Sequence, residues 1–167
     1  MLGAGLDMAP SDARYAEFYE RYLRFYTDAL CVHTTVFPGI DALVSKLEAH
    51  DIRWGIITNK TQRFTLPLLE QLGYAKRADC IVSGDSSPRA KPAPHPMLLA
   101  CKLIACPPAH CLYFGDDLRD IQAGRAAGMP TVAVRYGYLG CPEPIESWGA
   151  DHLVDHADDI AALVGLT

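Results

Sequence analysis

Between Ser11 and Leu30 the apolar and aromatic residues fall at Tyr15, Phe18, Tyr19, Tyr22, Leu23, Phe25 and Tyr26. Steps of three and four, with charges on the opposite face, predict an amphipathic helix whose aromatic stripe is a packing face. Phe37-Pro38-Gly39 breaks this pattern, and Leu43, Leu47 and His50 mark a second helix. Beyond it, strand-like and helix-like segments alternate. The runs 52–58, 80–83, 111–114 and 131–135 read as strands, and Leu153-Val154 adds a last one before a terminal helix. Helices are expected over 62–72, 97–104 and 118–127, the first and last of them stopped by Gly73 and Gly128. Strands alternating with helices of this length predict an α/β protein, with a largely parallel sheet covered on both faces.

Composition narrows the function classes. A chain of 167 residues allows one domain with a small appendage, on a prior of roughly 150 residues per domain. Fifteen Lys and Arg against 20 Asp and Glu leave a net charge of −5 with no long run of either sign, which disfavours nucleic acid or an anionic membrane as partner. No apolar run approaches the roughly 18 residues of a membrane span, and residues 1–11 carry neither a basic flank nor a continuous apolar stretch. The expected location is the cytoplasm. Six cysteines in such a chain read as reduced thiols. Cys101, Cys106 and Cys111, spaced by five, match neither a zinc knuckle nor a Cys-x-x-Cys pair, and His152 and His156 read as solvated.

In doubly wound sheets ligands bind beyond the carboxyl ends of the strands. Those positions hold Thr58-Asn59-Lys60, then Lys91-Pro92, then Gly115-Asp116-Asp117 with Asp120 following. A threonine hydroxyl and the N–H groups after it can bind phosphoryl oxygens. A lysine offsets their charge. Carboxylates directly after a buried strand supply hard oxygen ligands for Mg²⁺. Each residue alone has a plainer role: Thr58 can end a strand, Lys91 can be solvated, and Asp117 can cap a helix. The ordered set points to phosphoryl transfer.

The set resembles the haloacid dehalogenase superfamily of aspartate-nucleophile phosphatases. Ile56-Ile57-Thr58-Asn59-Lys60 is similar to its second motif, Lys91-Pro92 to its third, and Gly115-Asp116-Asp117-Leu118-Arg119-Asp120 to its fourth. The likeness runs from about Phe37 to Val154, which implies a core over 37–167, and residues 1–36 resemble the later part of a small α-helical cap. In the scheme that the resemblance implies, Thr58 and Asn59 bind the phosphoryl group and Lys91 stabilises its charge. Asp116 and Asp120 would hold Mg²⁺, and an aspartate would attack a phosphomonoester to give an aspartyl-phosphate that water hydrolyses. The segments 133–138 and 148–151 resemble phosphoglycolate phosphatases and relatives acting on N-acetylmuramic acid 6-phosphate, so the expected substrate is a small carboxylate-bearing phosphomonoester. Arg135 is the candidate contact for that carboxylate, with a surface ion pair as its alternative role.

The sequence departs from the family at the first motif. No Asp-x-Asp occurs before Thr58, and Asp7, in Gly-Leu-Asp-Met, lacks the second aspartate and a preceding strand. In this family the first strand lies between the strand ending at Thr58 and the one ending at Gly115. Its loss would leave two apolar edges that face a gap or close on each other, and such an edge invites self-association. The expectation is an N-terminally shortened enzyme with no appreciable turnover. The alternatives are a noncatalytic remnant that binds a partner, a phosphorelay receiver and a haloacid dehalogenase proper. Receivers place the acidic pair before Thr and Lys, whereas here Thr58 and Lys91 precede Asp116, and dehalogenation needs no metal site.

Overall fold

The computed structural model describes residue 9 and residues 11–166. The chain divides into two compact units, residues 1–34 and 35–167. The first unit contains helix α1 (Tyr15–Asp28), as the three-and-four spacing predicts. Its aromatic stripe is less covered than expected: Leu23 is buried, but Tyr19 and Phe25 are 42% and 62% exposed. The rings instead stack along the helix, Tyr15 on Tyr19 at 5.9 Å and Tyr22 on Tyr26 at 6.0 Å, the neighbours that a four-residue step brings together.

The second unit is the α/β part. In chain order it runs α2 (Ile40–Ala49), β1 (Gly55–Ile57), α3 (Gln62–Gln71), β2 (Cys80–Val82), α4 (His95–Leu103), β3 (Tyr113–Gly115), α5 (Leu118–Ala126), β4 (Thr131–Val134), β5 (His152–Val154) and α6 (Ala157–Leu163). Gly73 and Gly128 follow α3 and α5 with φ near +80°, the left-handed conformation that ends a helix without a Cβ penalty. All strand pairs are parallel. Among the described residues they form two sheets, β1–β2 and β3–β4–β5.

β4, in the middle of its sheet, is buried at every position, as its unbroken Thr-Val-Ala-Val run requires. On one face Val132 and Val134 meet Leu43 and Leu47 of α2 and Ile160 of α6. On the other, Ala133 meets Ile121 of α5 and Trp148. Helices therefore cover both faces.

The edges of β1 and β3 face a gap. Two cavities of about 440 and 400 Å³ share Trp54, Gly55 and Ile57 from the β1 side and Leu112, Tyr113 and Phe114 from the β3 side. The sheets do not close because helices splint them from both faces. α2 gives Leu43 and Leu47 to the core of the larger sheet and Val44 to a cluster that includes Ile56 of β1. α4 packs Met97 and Cys101 against Ile57 and Tyr113, one from each edge.

Asp151 ties the entry of β4 to the segment before β5: its carboxylate accepts from the Thr131 N–H at 2.7 Å and the Thr131 hydroxyl at 2.9 Å. Those bonds hold the Asp151 carboxyl below its ordinary range. Thr131 is fully buried, so Asp151→Ala strands two buried donors and is expected to cost about 1–3 kcal/mol in urea unfolding at neutral pH. The folded-state value is the depressed one, so this contribution is present above the unfolded carboxyl value and fades as the pH falls through the folded one. The gap between wild type and variant should therefore narrow in acid; a gap independent of pH would contradict this assignment.

Candidate functional site

Three strand-to-helix connections build the candidate site. β1 ends at Ile57, and Thr58 continues the ladder by donating its N–H to the Val82 carbonyl at 2.9 Å. The Thr58 hydroxyl oxygen accepts the Lys60 N–H at 3.1 Å, which leaves its own O–H to donate elsewhere. Asn59 clamps the second connection: its Nδ2 donates to the Lys91 carbonyl and its Oδ1 accepts the Lys91 N–H, both at 3.0 Å. The Asn59 side chain thus positions Lys91, leaving its second Nδ2 proton and its backbone N–H for a ligand.

Lys91 is the centre of the site. Its ammonium donates to the Ile57 carbonyl at 3.2 Å, to the Tyr113 hydroxyl at 3.2 Å and to Asp120 Oδ1 at 2.5 Å. Both side chains of the ion pair are largely buried, 11% and 7% exposed. Tyr113 also donates to Asp120 Oδ1, at 3.0 Å. Burial first, and the Asp120 charge second, push the Tyr113 hydroxyl well above its ordinary value, so it stays protonated. Gly115 permits this packing: a Cβ there would lie 2.5 Å from the Cβ of Asp120.

Asp116 leaves the end of β3, and its Oδ2 accepts the Tyr138 N–H at 2.7 Å. Gly137 makes that approach possible, since a Cβ at this position would run into the Asp116 side chain. Asp117 caps α5 through the Arg119 N–H at 2.8 Å and pairs with the Arg119 guanidinium at 2.6 Å, which lowers its carboxyl below the usual range. This is the capping role that the sequence allowed for it.

The structure thus brings Asn59, Lys91 and Asp120 into contact at the carboxyl ends of β1 and β3, with Thr58 and Asp116 beginning the adjoining loops. Arg135 is engaged elsewhere, by Glu146 at 2.7 Å and Asp155 at 3.1 Å. A substrate role for Arg135 would require exchanging these two carboxylates for that of the substrate. Asp7 lies outside the described residues. His152 and His156 are exposed. The sulfurs of Cys101 and Cys111 lie 3.8 Å apart as free thiols, and burial drives the Cys111 thiol up to about 12.

Sequence reasoning missed Tyr113 and Tyr136. Tyr113 sits in the run 111–114, and a hydroxyl on a buried strand must find a partner, which was the available signal. Tyr136 has a buried hydroxyl with no hydrogen-bond partner among the described residues, pushed up to about 12 by burial and by the Asp116 charge. No local pattern marks it.

Among the described residues no helix is long and apolar enough to cross a membrane. The model of the haloacid dehalogenase-like hydrolases matches residues 6–134. An N-acetylmuramic acid 6-phosphate phosphatase of Pseudomonas putida is 41% identical over 153 residues, covering 92% of this chain and 67% of that protein. A phosphoglycolate phosphatase of Xanthomonas campestris is 40% identical over 153 residues, covering 91% of this chain and 67% of that protein. Among solved structures, one described as a predicted phosphoglycolate phosphatase from Haemophilus somnus superimposes with a TM-score of 0.87 at 24% identity, covering 97% of this chain and 72% of that one. The chain belongs to the haloacid dehalogenase-like hydrolases.

Proposed function

We propose that this chain carries the phosphate- and magnesium-binding part of a phosphomonoester hydrolase of the phosphoglycolate phosphatase type. Its ligand would be a small carboxylate-bearing phosphomonoester, 2-phosphoglycolate or N-acetylmuramic acid 6-phosphate, the chemistry named in the relatives. The observation that carries this reading is the buried Lys91 ammonium, fixed between Ile57, Tyr113 and Asp120 beside the Thr58 loop. The proposed location is the cytoplasm.

The roles follow from the donors and acceptors left over. The Thr58 hydroxyl and the N–H groups that follow it would bind phosphoryl oxygens, and Asn59 would hold the Lys91 loop against them. Lys91 would offset charge on the phosphoryl group, but Asp120 already balances it. A phosphate dianion beside Asp116 therefore needs further positive charge. The donor set suits Mg²⁺: Asp116 and Asp120 each keep one carboxylate oxygen without a protein hydrogen bond among the described residues, and Mg²⁺ is usually held by one or two carboxylates, with water and phosphate completing its shell. When bound there, the cation would neutralise phosphoryl oxygens as a Lewis acid.

The nucleophile is a separate question. The sequence contains no Asp-x-Asp ahead of Thr58, so this chain alone is proposed to bind the phosphomonoester without appreciable turnover. A second reading, a noncatalytic remnant that acts by binding or self-association, draws support from the open edges of β1 and β3.

Calorimetry with 2-phosphoglycolate tests the binding claim. Adding Mg²⁺ should tighten binding by about tenfold or more, because it supplies the charge that Asp120 withholds. Equal affinity with and without Mg²⁺ would overturn the metal assignment, and no binding under either condition would overturn the phosphate site. Lys91→Met alone would leave Asp120 buried without a counter-charge, at a cost of about 3–5 kcal/mol. Paired with Asp120→Asn, both charges go. This double variant should stay folded and lose binding; retained binding would remove Lys91 from the site. A phosphate-release assay should detect no turnover above background, and steady Mg²⁺-dependent hydrolysis by the pure chain would overturn the incomplete-site reading.

A further inference from the structure

We propose that Cys101 and Cys111 form a modification site for hydroperoxides, a thiol pair that hydrogen peroxide converts into an intramolecular disulfide. The spacing by five that matches no metal motif has a backbone cause. Ala105, left-handed at φ 48°, ends α4 by folding the chain back, and the Cys106 N–H donates to the Cys101 carbonyl at 3.0 Å. A 3-10 turn over Pro108–His110 then returns the chain a second time, with the Cys111 N–H on the Pro108 carbonyl at 3.0 Å. These two turns gather three thiols at the end of α4.

Geometry selects the pair. The Cys111 Sγ lies 3.8 Å from the Cys101 Sγ, and within 3.4 Å of the Pro107 carbonyl oxygen. A disulfide of roughly 2.05 Å requires the two sulfurs to close by a further ~1.8 Å. The Cys111 side is the one that can yield: the turn before it is exposed at Pro107, Ala109 and His110, whereas Cys101 sits in the core beside Met97 and Ala123. Exposure also sets the order of reaction. Cys101 is buried and Cys111 half-buried, so a small oxidant in solution meets Cys111 first. Burial pushes both thiols above their ordinary range, which keeps the thiolate scarce and the reaction slow. The pair answers sustained peroxide and stays reduced otherwise.

The chemistry balances with peroxide alone. The Cys111 sulfur attacks one peroxide oxygen, the O–O bond breaks, and the departing oxygen takes up a proton and leaves as water, giving a sulfenic acid on Cys111. The Cys101 sulfur then displaces the hydroxyl: the S–S bond forms, the S–O bond breaks, and the Cys101 proton leaves with the hydroxyl as a second water. Two thiols are oxidised by two electrons and one hydroperoxide is reduced. Cys106 turns its own sulfur to the His110 carbonyl, at 3.9 Å, and supplies neither atom of the bond. Cys31 and Cys141 are half-buried like Cys111, but their thiols donate to the Thr34 carbonyl and to Glu143, not to a second sulfur. The cross-link would join the end of α4, the helix that follows the Lys91 loop, to the segment that enters β3. The inference does not depend on the phosphatase reading, since thiols are counted with no phosphate ligand present.

The test treats the full, reduced chain with hydrogen peroxide, blocks the remaining thiols with iodoacetamide in denaturant, and maps the products by mass spectrometry. Expected is the loss of two of the six thiols, restored by dithiothreitol. The tryptic peptide ending at Lys102 should be joined through Cys101 to the peptide holding Cys106 and Cys111, with fragment ions placing the bond at Cys111 and the alkyl group at Cys106. In Cys101→Ala, Cys111 should stop at the sulfenic acid and be trapped by dimedone. In Cys106→Ser the disulfide should form within about twofold of the wild-type rate. The wild-type map decides the question even where a variant fails to fold. A chain that keeps all six thiols under peroxide would overturn the proposal, as would a bond through Cys106 or a covalent dimer.

Discussion

The ammonium of Lys91 is the point on which the two sheets and the candidate site both depend. It touches the last carbonyl of β1, the Tyr113 hydroxyl of β3 and the Asp120 carboxylate of α5. Taking a lysine and an aspartate out of water is costly unless each is paired and hydrogen-bonded, and here every partner comes from a different segment. Asn59 fixes the backbone that delivers Lys91, and Gly115 lets Asp120 approach. Polar satisfaction at this point demands that the carboxyl ends of β1 and β3 sit together. The geometry wanted for binding an anion and a cation is the same geometry that the buried pair requires.

Below that point the sheets are held without pairing to each other. Hydrophobic burial is non-directional, so helices can hold two sheets in register with a space between them as long as each sheet finds apolar cover. α2 and α4 provide that cover from opposite faces, each touching residues of both sheets. What burial cannot supply is a partner for backbone donors and acceptors; the last carbonyl of β1 finds one in the Lys91 ammonium. Open edges of this kind are usually blocked by charge, proline or a covering element. Here they are recessed between helices, which limits access by another sheet.

Much of this was legible in the sequence, for a physical reason. The segments 56–60, 91–92 and 115–120 are short and contiguous, and each follows a recognisable strand or loop, so residue type and order alone point to phosphoryl chemistry. The parallel α/β architecture followed from the alternation of periods, with strand ends shifted by a few residues where pairing rather than hydrophobicity decides, as at Tyr113 opposite Thr131. What was not legible depends on contacts distant in sequence. Asn59 spends its amide on Lys91, Asp116 takes the Tyr138 N–H, and Arg135 settles between Glu146 and Asp155. Whether the two edges would close or stand apart was equally open, because it depends on how α2 and α4 divide their side chains between the sheets.

The convergence of three loops on one anion pocket is tested most directly by amide chemical shifts recorded while orthophosphate is added to the chain in the presence of Mg²⁺. The account predicts that the largest changes fall together at Thr58, Asn59, Lys91 and Asp116, and that they shrink sharply when Mg²⁺ is withdrawn. Changes centred on Arg135 and the segment around Glu146, with the Lys91 loop unmoved, would contradict it.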